Sequence, residues 1–235
     1  MSKILITGAD RGLGRALSEQ FLQNGHIVYA GQYMPEWKEL DSLKSHYPDR
    51  LFLVPLNIGD LSSIEKAYGQ VSEETDSLDI LIHNAGMIGT DSRIRESVSQ
   101  TDCGNVYRVN ALGPLQVTQT FLPLLSREGG EQKVAFISSE AGSIALAHRR
   151  SQYAYGMSKA ALNMEVRILH NTLQNMGYEF YLYHPGWMRT YMKGDKATVG
   201  DMEPEESAES AYAFFTGEAP TYLEMVDVYQ RAWAF

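Results

Sequence analysis

Lys3-Ile4-Leu5-Ile6-Thr7-Gly8-Ala9-Asp10-Arg11-Gly12-Leu13-Gly14 stands almost at the start of the 235-residue chain. Residues 3–7 are mostly apolar and β-branched and read as a buried strand. Glycines at 8, 12 and 14 follow at once. From Arg15 to Asn24 the apolar residues Ala16, Leu17, Phe21 and Leu22 fall on one side of a helix. Strand, glycine turn and helix together make the setting of a phosphate-binding loop. The glycines let the backbone turn tightly and approach a ligand. The helix start offers free N–H groups and a partial positive charge.

Working outward, strands and helices alternate to the end of the chain. Strands are expected at 26–31, 51–56, 78–83, 132–137, 178–183 and 222–229, and helices at 36–47, 61–74, 103–126, 155–176 and 204–215. Asn110, Gly113 and Pro114 interrupt the long helix, and Pro114 should bend it. This alternation predicts an α/β fold, a doubly wound parallel sheet of about seven strands with helices on both faces. One domain is expected over 1–235, with a small, mobile substrate-side segment at 187–203. The second strand should end beside an adenosine ribose. An acid there selects NAD, and a nearby arginine favours the 2′-phosphate of NADP. The chain has Gln32 and Tyr33 there, with Arg11 in the glycine loop. This favours NADP(H), with NAD(H) the alternative.

Composition excludes other classes. The net charge of −9 and the lack of a basic tract argue against nucleic acid. No apolar run approaches the roughly 20 residues that span a membrane, and Met1 leads into a strand with no signal-like segment. The single cysteine, Cys103, fits a reducing cytoplasm. The histidines are scattered without zinc spacing, so no metal is expected.

Tyr155-Gly156-Met157-Ser158-Lys159 opens a helix continued by Ala160-Ala161-Leu162-Asn163-Met164. Residues four apart share a face, so a phenol and an ammonium meet the same space. The ammonium would lower the phenol pKa and suit it to proton transfer.

Taken together these motifs resemble the short-chain dehydrogenase/reductase family nearly end to end. Thr7-Gly8-x3-Gly12-x-Gly14 is similar to its cofactor loop, and His83-Asn84-Ala85-Gly86 to its Asn-Asn-Ala-Gly segment. Asn110, Ser139, Tyr155 and Lys159 match its catalytic tetrad in order, and His184-Pro185-Gly186-Trp187-Met188-x-Thr190 its nicotinamide-side segment. The text around Tyr153 to Met164 and the spacing from Ser139 resemble the C-factor/sniffer, carbonyl-reductase-like branch. Asn57 stands where the family usually has Asp, Tyr33 where the branch usually has Arg, and Tyr191 where it often has Asp.

The resemblance implies hydride transfer between nicotinamide and a small carbonyl or alcohol substrate. Tyr155 would be the general acid/base. Lys159 would hold the nicotinamide ribose and tune Tyr155, and Ser139 would donate to the substrate oxygen. Asn110 would hold a water, or serve only as a helix-kink residue. Cofactor contacts would come from Gly8, Arg11, Gly12, Leu13, Gly14, Gln32, Asn57, Ile58, Asn84, Ala85 and Gly86, and from Pro185, Gly186, Met188 and Thr190. A homodimer or homotetramer is expected by the same analogy. A binding protein with a redox-sensing or signalling role and little turnover is the other reading. Trp187, Met188, Tyr191 and Met192 read as an apolar lid or as surface packing. His83 and His184 read as hydrogen-bonded strand ends, Ser138 as structural and His148-Arg149-Arg150 as a solvated loop.

Overall fold

The structure, a computed structural model, describes residues 1–91, 93–125, 132–192 and 194–235. The expected helix end at Ser126 lies outside the described residues, as do Ser92 and Lys193 within the 87–95 and 187–203 segments.

Eight strands form one sheet: β1 (Lys3–Ile6), β2 (Ile27–Gln32), β3 (Leu51–Pro55), β4 (Ile80–His83), β5 (Lys133–Ile137), β6 (Glu179–His184), β7 (Met225–Asp227) and β8 (Ala232–Trp233). Their order is β3-β2-β1-β4-β5-β6-β7-β8. Every pairing is parallel except β7 with β8. The expected final strand is thus shorter than 222–229, and the chain turns back to add an antiparallel edge.

Strand residues alternate between two cores. Ile4, Ile6, Ile80, Ile82, Tyr181 and Tyr183 pack with α1 (Gly12–Gln23), α2 (Glu39–His46) and α7 (Pro204–Thr216). Leu5, Leu81, Val134, Phe136 and Leu182 face α3 (Leu61–Glu74), α5 (Gly113–Leu125) and α6 (Tyr153–Leu173). A period of two along strands buried on both faces sends adjacent side chains to opposite layers.

The long helix expected over 103–126 is broken in three. α4 (Gln100–Tyr107) runs into a π-helical turn, Arg108–Leu112, and then into α5. Gly113 N–H bonds Arg108 O, the wide turn that admits one extra residue. Pro114 then falls in the first turn of α5, where a missing donor costs little. The segment at 187–203, expected to be mobile, is internally bonded: Met188 bridges Met202, Asp201 N–H donates to Trp187 O, and Glu203 pairs with Arg189 and Lys196. No described helix is long and apolar enough to cross a membrane.

Candidate active site

Strand order reverses between β1 and β4, and the crevice beyond their carboxyl ends is where open α/β sheets bind ligands. The glycine turn there is fixed by sterics. Gly8 has φ +63°, and a Cβ on it would lie 2.8 Å from Ala85 Cα. A Cβ on Gly14 would lie 2.1 Å from Gly8 O. Asn84 Nδ2 donates to Thr7 O at 3.0 Å and Gly8 O at 2.8 Å, and Thr7 Oγ1 accepts from the N–H groups of Asn84 and Ala85 at 3.1 Å each. Asn84 and Ala85 therefore brace the turn. Arg11 caps α1 without a side-chain bond, and the first turn holds no acid. The N–H groups at Gly12 and Leu13 are thus offered to an anion, and the room left by absent side chains fits a dinucleotide phosphate.

The adenosine side holds an acid that the sequence hid. Asp10 reaches from the glycine loop to the end of β2, where its carboxylate accepts from the N–H groups of Tyr33 at 3.1 Å and Met34 at 2.8 Å. Gln32 ends β2 beside it. The Arg11 guanidinium lies 4.6 Å from the Trp37 ring centroid and 5.8 Å from that of Tyr191. Trp37 and Tyr191 meet edge-on at 4.9 Å. Tyr191 thus belongs to this side and not to a substrate lid. Asn57 Oδ1, the carbonyl available to an adenine amino group, already accepts from Gly59 N–H at 2.9 Å. Ile58 is buried with its carbonyl against Gly113, where a Cβ would approach to 2.7 Å.

A cavity of about 750 Å³ opens at the carboxyl ends of β5 to β7. Ser139, Tyr155, Pro185, Gly186, Met188 and Thr190 line it. Thr190 also lies against the glycine turn, 3.7 Å from where a Gly12 Cβ would stand. Trp187 and Met192 complete its apolar side.

α6 sets Tyr155 and Lys159 one turn apart, both buried. Burial pushes the Tyr155 phenol up; the Ser139 hydroxyl pulls it down, Glu140 adds to the rise and Arg149 opposes it. The expected tuning by Lys159 is not what this geometry provides. Lys159 Nζ donates to Ile137 O at 2.7 Å, and burial alone lowers its ammonium to about 8. The cation over the phenol is Arg149, 5.7 Å from the ring centroid.

Asn110 sits in the π-helical turn, a distortion common at functional sites. Its Oδ1 accepts from Met87 N–H at 2.8 Å, and its Nδ2 donates to Met87 O at 2.7 Å and Ser158 Oγ at 2.9 Å. It ties the loop following β4 to α6. A Cβ on Gly86 would meet Asn110 Oδ1 at 3.3 Å and Lys159 Nζ at 3.8 Å, so these two side chains converge on Gly86, next to the residues that brace the glycine turn. Ser138, which also lines the cavity, commits its proton to Asn163 Oδ1 at 2.6 Å.

Several site groups escaped the sequence reading. Glu140 Oε2 accepts from Ser139 Oγ at 2.5 Å, and Glu140 Oε1 accepts from Arg149 Nε at 2.9 Å. Burial raises the Glu140 carboxyl, but the bonds from Ser139 and Arg149 outweigh it and hold the group below its usual range. Arg149 thus lies in an exposed loop, as expected of His148-Arg149-Arg150, and from there it also lines the cavity. On the far wall Trp233 Nε1 donates to Asp227 Oδ2 at 2.9 Å, and Trp233 meets His184 edge-on at 5.4 Å. His184 Nδ1 has no hydrogen-bond partner, and burial lowers its pKa. His83 Nε2 bonds Thr118 Oγ1 at 2.8 Å, while its Nδ1 has no partner. Only coordinates bring the chain's last residues to this wall; the sequence carried no signal for it. Glu140 and Arg149 could have been sought as charges flanking Ser139 and Tyr155.

A model of the short chain dehydrogenase family matches residues 2–199. Over 125 residues the chain is 43% identical to the C-signal of Myxococcus xanthus, covering 53% of this chain and 74% of that protein. Among solved structures, NADPH-bound carbonyl reductase from chicken fatty liver superposes with a TM-score of 0.90 at 29% identity, covering 100% of this chain and 99% of that one. Carbonyl reductase Sniffer of D. melanogaster, at 24% identity over 100% of both chains, shares the fold with a TM-score of 0.91.

Proposed function

This chain belongs to the short-chain dehydrogenase family, and on that footing we propose that it is an NADP(H)-preferring reductase of small carbonyl compounds. The observation that carries the reading is one cavity lined by Tyr155, Ser139 and Thr190, with Thr190 3.7 Å from where a Gly12 Cβ would stand. A bound nicotinamide supplies the hydride to the carbonyl carbon. Tyr155 gives its proton to the carbonyl oxygen in reduction and takes it back in oxidation. Ser139 donates a hydrogen bond to that oxygen as charge grows on it, a contribution of roughly 3 kcal/mol. Lys159 and Asn110 hold the floor between the phenol and the braced turn.

The preference for NADP(H) over NAD(H) is supported by the adenosine side. The acid there, Asp10, is taken up by two backbone N–H groups, and Gln32 carries no charge. Arg11 is the cation at hand for a 2′-phosphate. The NADPH carried by the chicken carbonyl reductase points the same way. A single nucleotide-binding domain over 1–235 in a reducing cytoplasm belongs to the same reading. The exposed stripe Met157, Met164 and Ile168 on α6 supports a homodimer or homotetramer.

Likeness to the Myxococcus C-signal favours a second reading, a nucleotide-binding signalling protein with little turnover. A panel of aldehydes and ketones assayed with NADPH and NADH separates the two. Turnover faster with NADPH is expected. No turnover on any compound, alongside micromolar nucleotide binding, would favour the signalling reading.

A further inference from the structure

The proposed chemistry leaves unused a carboxylate beside the very hydroxyl that is to meet the substrate oxygen. Ser139 Oγ donates to Glu140 Oε2 at 2.5 Å and accepts from Ala141 N–H at 3.2 Å. A serine hydroxyl carries one proton, so in this arrangement Ser139 has none to give a carbonyl oxygen. Glu140 is held in place. Its Oε1 accepts from Arg149 Nε at 2.9 Å and also from Nη2, and Arg149 Nη1 donates to Gln152 Oε1. Gln152 in turn is set at the start of α6 in the left-handed conformation, φ 63°. Yet Glu140 still lines the cavity, its side chain 19% exposed.

We infer that Glu140 is a specificity-determining residue that selects carbonyl compounds bearing a hydroxyl or amino donor on the carbon next to the carbonyl. The inference rests on the reading of Ser139 and Tyr155 as the carbonyl-binding pair. A plain ketone must draw the Ser139 proton away and leave Oε2 unpaired in a half-enclosed cavity, which is costly for an ionised group. A donor on the neighbouring carbon stands about one hydrogen-bond length from the carbonyl oxygen, matching the 2.5 Å from Ser139 Oγ to Oε2. Such a substrate bonds Oε2 itself while Ser139 turns to the carbonyl oxygen, so two bonds replace one. A carboxylate in place of that carbon, as in an α-keto acid, meets Glu140 head-on. Arg149, already committed to Glu140 and Gln152, does not relieve the repulsion.

The test uses the whole protein with oxidised NADP, which cannot deliver hydride to a ketone. Calorimetric titration compares acetophenone with 2-hydroxyacetophenone. The hydroxyketone should bind tighter by on the order of tenfold to a hundredfold. Glu140→Leu should bring the pair within about twofold of each other, and Glu140→Asp should keep most of the preference. Equal affinities in the wild type, an unchanged ratio in Glu140→Leu, or no binding of either ketone would overturn the inference. Turnover of the same pair with NADPH is read separately. Binding discrimination without turnover leaves this inference standing and removes the reductase reading. Turnover of both at equal kcat/KM does the reverse.

Discussion

At the β1–β4 end of the crevice, position is set by backbone. Gly8 and Gly14 admit no side chain, Thr7 and Asn84 bond main-chain groups, and even Asp10 is used up by two N–H groups. At the β5–β7 end, position is set by side chains paired with one another: Ser139 with Glu140, Glu140 with Arg149, Trp233 with Asp227. A ligand common to many proteins is met by a surface with little freedom to vary. A substrate particular to one protein is met by groups that can be exchanged singly. The difference predicts that damage at the first end is structural and at the second selective.

The largest effect should come from Gly14→Ala. Its methyl would meet Gly8 O at 2.1 Å, and the turn cannot yield without releasing Asn84. We expect a loss of roughly 3 kcal/mol or more together with nucleotide binding, seen as a lower Tm that NADPH no longer raises. A variant with normal Tm and cofactor response would break the comparison. Trp233→Ala acts at the other end, removing the indole donor from buried Asp227. Losing a hydrogen bond to a charged group should raise KM by on the order of tenfold while NADPH affinity stays unchanged. A loss of cofactor affinity instead would show that the two ends are not separable.

The halves should also answer pH in opposite senses. His83, at the end of β4, has its pKa lowered by burial from 6.5 to about 3. Between those values the unfolded chain holds the extra proton. His83 therefore contributes stability that is full above pH 6.5 and is lost as pH falls toward 3, with a slope up to about 1.4 kcal/mol per pH unit. Glu165 on α6 is raised by burial from 4.5 to about 8, and its Oε1 has no partner. Here the folded chain holds the extra proton, so stability is full below pH 4.5 and falls as pH rises toward 8. Urea titrations across pH 4–9 should show His83→Asn flattening the acid limb and Glu165→Gln, with the smaller effect, flattening the alkaline one. A limb unchanged by its variant would remove that group from the account.

The first end was readable because sterics leave few solutions. Strand, glycines at fixed offsets and helix placed the crevice, and Asn110 Oδ1 and Lys159 Nζ come near Gly86 beside it. At the second end only Ser139 and Tyr155 were readable, because the other contacts join residues with no shared local pattern. Ser143 donates to Ala234 O across 91 positions, and Trp233 reaches His184 only because the chain reverses into β8. The π-helical turn at 108–112 was hidden for a different reason. Periodicity read through Pro114 predicts a bend but not the extra residue that absorbs it. The pairing of Lys159 with Ile137 O was hidden as well, since spacing on a helix gives a shared face but not the atom a long side chain chooses.

The central claim is that the Tyr155 phenol is the proton source for a carbonyl oxygen held beside the nucleotide. The direct test measures NADPH affinity and turnover together for Tyr155→Phe, which removes only the hydroxyl. The account predicts a fall in kcat of on the order of a hundredfold or more with NADPH affinity nearly unchanged. Wild-type turnover by that variant would contradict it.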